Sequence, residues 1–126
     1  MTNKPSPAAF PIESGHPLSK SLLWALQARY FRDQGIAAWS SNTVPSYITS
    51  NPSIAHAYAR VVFGYLRDLL PTLDTSQPVY LLELGAGSGR FAFYFLRRLR
   101  ELLEWVPGVR VCYVLSDYAR RNVGFW

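Results

Sequence analysis

"VYLLELGAGSGRFAFYFLRR", residues 79–98, decides the reading of this chain. Pro78 opens a short apolar run, 79–84, rich in β-formers. Glycines then alternate at 85, 87 and 89. From Arg90 to about Trp105, Phe91, Phe95, Leu99, Leu102, Leu103 and Val106 recur at helical spacing and define one face. Pro107 and Gly108 stop that helix. Residues 109–116, "VRVCYVLS", make a second apolar strand that ends at Asp117. Strand, helix, strand predicts a right-handed βαβ unit with a parallel pair. Both strands are apolar at nearly every position, which predicts burial on both faces.

A glycine turn between a parallel strand and a helix brings backbone N–H groups to the carboxyl edge of the sheet. Side chains there would hold a ligand away from the backbone. The helix amino end adds partial positive charge, which suits phosphate, carboxylate or an electron-rich nucleoside. Spacing separates the options. A dinucleotide fingerprint needs G-x-G-x-x-G or a final alanine, and its third small position is occupied by Arg90. A P-loop needs a lysine after its last glycine, and none follows Gly89. A turn with a purely structural role stays open beside these.

The stretch "LLELGAGSGR" resembles motif I of the class I, Rossmann-like S-adenosylmethionine-dependent methyltransferases. That motif runs apolar residues, an acid, one apolar residue, then G-x-G-x-G. The resemblance covers roughly residues 79–117. It implies that Gly85, Ala86, Gly87 and Gly89 line the methionine and ribose part of S-adenosyl-L-methionine. It implies that Glu83 holds the cofactor's amino group, and that Asp117, at the end of the second strand, accepts from both ribose hydroxyls. A carboxylate suits that task because two O–H donors match its two oxygens. No catalytic residue follows from the resemblance.

Upstream, residues 1–17 are rich in proline and read as a flexible arm. Residues 18–34 carry Leu22, Leu23, Leu26, Tyr30 and Phe31 at helical spacing, and Gly35 is a natural stop. Residues 36–52 read as a polar loop punctuated by Trp39, Tyr47 and Ile48, with Trp39 and Tyr47 as residues that pack the loop onto the helices. Asn51 and Pro52 form a helix start: a side-chain cap, then proline at the first position. The helix that follows, to Leu70, places Ile54, Tyr58, Val61, Val62, Tyr65, Leu66 and Leu69 on its predicted core face, and His56 reads as a surface residue. The predicted fold class is α/β. An incomplete Rossmann-like βαβ unit, 78–126, is preceded by a flexible arm, 1–17, and an α-helical extension, 18–77.

Composition bounds the rest. The 126 residues are 49% hydrophobic and 15% aromatic, enough for a packed core. The net charge is +5. Its arginines are scattered or placed on helix faces, which disfavours a nucleic-acid partner. The single cysteine, Cys112, excludes an internal disulfide and is expected to be a buried thiol in a reducing compartment. No apolar run approaches the ~18 residues of a membrane span. The first residues hold no apolar core of signal-peptide length, so a cytoplasmic location without a membrane partner is expected. No Cys/His cluster has metal-ligand spacing.

Only the first two strands of the resembled fold are present, without the regions that usually hold adenine and acceptor. The expectation is therefore the N-terminal part of a methyltransferase, inactive on its own and prone to self-association. Two rivals stand beside it: a non-catalytic binding module of the same fold, and a piece of a nucleotide-dependent oxidoreductase, against which Arg90 speaks.

Overall fold

The computed structural model describes residues 11–126. Helix α1 spans Leu22–Gln34, α2 Ala37–Ser40 and α3 Pro52–Leu69. Strand β1 spans Val79–Leu84, α4 Arg90–Leu103, β2 Val111–Ser116 and α5 Arg120–Val123. The first ten residues of the expected arm lie outside the described part. Its remainder is exposed, but Glu13 reaches the amino end of α1, where its carboxylate accepts from the Leu22 N–H at 2.9 Å.

Local signals set the helix ends. The Asn51 side chain accepts from the Ile54 N–H at 3.0 Å, and Pro52 occupies the first turn of α3. Gly35 ends α1 with φ 53°, a conformation that glycine adopts without a Cβ clash. The 36–52 segment departs from the expected loop, because α2 inserts one helical turn, closed by Trp39 and Ser40 N–H groups donating to Ile36 C=O.

Strands β1 and β2 pair in parallel, with Val79 opposite Val111 and Leu84 opposite Ser116. The core lies on one face of this pair. Ala55 and Ala59 of α3 meet Phe95 and Leu99 of α4, with Leu81, Val111 and Tyr113 packed beneath. The expected burial of β1 on both faces is corrected: Tyr80, Leu82 and Leu84 are 68%, 61% and 79% exposed. Every second side chain of β1 therefore faces outward, whereas on β2 Val114 alone is exposed. Cys112 shares that outer parity by its register with Tyr80, and is half-buried instead of buried.

The core face of α3 is corrected in part: Val62 and Leu66 pack inward as expected, but the face is turned. Tyr58, Val61 and Tyr65 are exposed, while Ala55, Ala59 and Leu66 are fully buried. The helix carries two apolar stripes, 54/58/61/65 and 55/59/62/66, one residue apart. The alanine-bearing stripe wins because small side chains let α3 approach the bulky Phe95 and Leu99 of α4. Tyr58 still meets Phe91 edge to face at 5.6 Å, from the margin of the contact. On α4 the expected face holds, with Phe95 and Leu99 buried, and Val106, beyond the end of the helix, is buried too. Leu22, Leu23 and Leu26 of α1 are exposed, and Tyr30 and Phe31 are half-buried.

Candidate functional site

The glycine turn links β1 to α4 and is stitched to the end of β2. Gly85, Gly87 and Gly89 all have φ between 56° and 71°. The Ala86 N–H donates to Ser116 C=O at 2.9 Å. The Gly87 N–H donates to Asp117 Oδ2 at 2.9 Å. Ser116 Oγ–H closes the edge by donating to Glu83 C=O at 2.9 Å. These bonds follow from parallel pairing, which brings both strand ends to one edge.

Two tryptophans distant in sequence meet this turn. A Cβ placed on Gly87 would lie 2.8 Å from the Trp39 ring, and the same ring stacks on Phe31 with centroids 5.2 Å apart. Trp126 Nε1–H donates to Gly87 C=O at 3.2 Å and lies beside Gly89. The expected packing of Trp39 onto the helices holds through Phe31 of α1, and the ring meets the glycine turn as well. Tyr47 is exposed and does not share it.

A cleft of about 310 Å³ opens beside the turn. One wall is Glu83, Gly85, Ala86, Gly87, Ser88 and Phe91, and the other is Trp39 with Val44, Pro45, Ser46, Thr49 and Ser50. This volume is at the lower end of the ~300–1,000 Å³ of small-molecule sites. Of the residues named from sequence, Glu83, Gly85, Ala86 and Gly87 line it together. Gly89 and Asp117 do not. Gly89 sits at the amino end of α4, where no side chain caps the helix. Asp117 places Oδ2 on Gly87 and Oδ1 on the Ala119 N–H, at 2.8 Å.

Tyr113 is the residue that sequence reasoning missed. Its hydroxyl donates to Glu83 Oε2 at 2.8 Å. The two share a face of the sheet only because Glu83 pairs with Leu115, a register that no local pattern announces. Burial pushes the Glu83 carboxyl above its ordinary value, and the Tyr113 hydrogen bond works in the opposite sense. Burial, then Glu83 itself, pushes the Tyr113 hydroxyl well up, so it remains a donor.

The pH dependence follows. With a raised acid in the folded state, the unfolded chain releases its proton first as pH rises. The stability contributed by Glu83 is present below its ordinary value and is lost between that value and the raised one. Glu83→Gln is expected to flatten this descending limb. Urea titrations at stepped pH check it; an unchanged slope in the variant would assign the limb to other groups.

Chemically, the cleft offers a half-buried carboxylate whose Oε1 has no hydrogen-bond partner among the described residues, and through Phe91 it borders the first turn of α4, whose amino end lacks a side-chain cap. Such a pair suits a ligand that carries an amino group and an electron-rich group. Among the described residues no group of His, Cys, Asp and Glu could hold a metal ion.

No family model matches the chain, and no solved structure matches it. A non-reducing polyketide synthase of Emericella nidulans is 40% identical to it over 53 residues, 42% of this chain. The match spans about 2% of that protein's length.

Proposed function

We propose that this chain carries a binding site for S-adenosyl-L-methionine of the class I methyltransferase kind, on an incomplete Rossmann-like unit. The observation that carries the reading is the left-handed glycine turn between β1 and α4, which opens with Glu83 onto one cleft. The free oxygen of Glu83 fits an ammonium group, and the uncapped amino end of α4 fits a carboxylate. Gly87 has no room for a side chain, because the Trp39 ring, a wall of the same cleft, fills the place of its Cβ. Asp117 does not line the cleft and each of its oxygens already accepts one backbone N–H, so its proposed part in holding the ribose hydroxyls rests on the second lone pair of each oxygen. The chain is proposed to bind the cofactor without transferring its methyl group. Transfer is an in-line attack that needs two positioned substrates, and the cleft described here serves one.

A second reading is a structural turn in a non-catalytic module. It is favoured by the same two Asp117 bonds and by the tryptophans packed on Gly87 and Gly89. Calorimetric titration of the chain with S-adenosylhomocysteine separates the two. The expected result is saturable binding of one ligand per chain; no heat at millimolar ligand, with the fold intact by circular dichroism, would favour the structural turn.

A further inference from the structure

A second cleft lies beyond Asp117, on residues that the cofactor reading does not use. It encloses about 230 Å³ between α1 and the 118–121 segment, and is lined by Arg32, Arg120 and Arg121 with Tyr118, Ala28 and Ala119. None of these three arginines forms an ion pair among the described residues. The pairs found join Arg29 to Asp33, Arg67 to Asp68 and Arg98 to Glu101. Residues 1–10 contain no Asp or Glu that could supply a partner.

The arrangement is held in place. Arg121 donates from Nη1 to Asp33 C=O at 2.6 Å. Its aliphatic stem lies against Gly35, where a Cβ would come within 2.7 Å of Cδ. Tyr118 meets Phe31 edge to face at 6.1 Å, which fixes the ring at the cleft wall. Three arginines thus line one cleft, Arg121 anchored there by its contacts, and none of the three is in an ion pair among the described residues, so their summed positive charge favours an anion in the cleft.

We propose that this cleft binds the phosphate group of a small phosphomonoester, held by Arg32, Arg120 and Arg121. A lone carboxylate is satisfied by one guanidinium fork. A tetrahedral dianion offers oxygens to several forks at once, and so matches three arginines better. Burial, then the neighbouring Asp117, pushes the Tyr118 hydroxyl up. The two clefts share no lining residue; they meet through the Ala119 N–H, which donates to Asp117, and none of the three arginines takes part in that bond.

Phosphorus NMR and calorimetry on the full chain test it, with inorganic phosphate and phenyl phosphate as probes and sodium chloride added to hold ionic strength constant. Both probes are expected to bind saturably. Arg32→Gln and Arg120→Gln are each expected to weaken binding about ten- to a hundredfold, the effect of losing a charged hydrogen bond. Arg60→Gln, on the exposed side of α3, is expected to leave it unchanged and serves as the control for general charge. Equal loss in all three variants, retained affinity in Arg32→Gln and Arg120→Gln, or absence of saturation would each overturn the proposal. Tighter binding of a single-stranded oligonucleotide, lost in Arg60→Gln as well, would replace it with diffuse attraction to a polyanion. Titration with S-adenosylhomocysteine on the same variants should show no change, so failure of one site does not imply failure of the other.

Discussion

Gly87→Val is expected to abolish binding of S-adenosylhomocysteine. Two effects act together. Gly87 has φ 56°, a region that β-branched residues avoid at a cost of about 1–3 kcal/mol. Its Cβ would also sit 2.8 Å from the Trp39 ring, closer than carbon atoms approach. Either the turn flattens or Trp39 leaves, and Trp39 is one wall of the cleft. Calorimetry of the variant measures the loss, and circular dichroism reports whether the fold survives. Gly85 gives the internal contrast. It also has positive φ, but no atom lies within 4 Å of its added Cβ. Gly85→Ala should therefore retain more affinity than Gly87→Val. Binding by Gly87→Val as tight as the parent's would remove the turn from the ligand site.

Asp117→Ala comes second in size. If Asp117 accepts from the ribose hydroxyls, affinity for S-adenosylhomocysteine should fall by about 1.5–3 kcal/mol, the range for hydrogen bonds to a charged group. The structure adds a consequence for stability. The Gly87 and Ala119 N–H groups both lose their acceptor, which should cost on the order of 2 kcal/mol in urea unfolding. Asp117→Asn keeps one acceptor oxygen and should fall between parent and alanine in both measurements. A variant destabilised but unchanged in affinity would confine Asp117 to tying the turn. A variant weakened in affinity but equally stable would show that the two backbone bonds contribute nothing net.

Much of the local structure was legible. The strand 79–84, the helix from Arg90, the second strand and its closing Asp117 lie where apolar runs and helical spacing put them. Asn51 and Gly35 act as the caps that their chemistry requires. The grouping of Glu83 with Gly85, Ala86 and Gly87 in one cleft was legible too, since all four belong to one strand–turn segment. Less legible were residues whose role depends on another element. Tyr113 lies thirty positions from Glu83. Trp39 and Trp126 approach the glycine turn from either side along the chain, and no spacing rule connects them to it.

By itself, then, the sequence determined the order strand, glycine turn, helix, strand and the places where helices begin and end. Those features rest on interactions within a few residues: caps, proline and glycine backbone limits, and side-chain periodicity. The tertiary structure alone decided which stripe of α3 faces α4, which face of the sheet is left open, and where the Asp117 oxygens point. The two stripes of α3 have the same spacing, so periodicity cannot rank them. Close packing can, because Ala55 and Ala59 admit Phe95 and Leu99 where Tyr58 and Tyr65 would hold the helices apart. Asp117 is similar. Its residue type announced an acceptor, but only the parallel register, with Leu84 opposite Ser116, brings it within 2.9 Å of the Gly87 N–H.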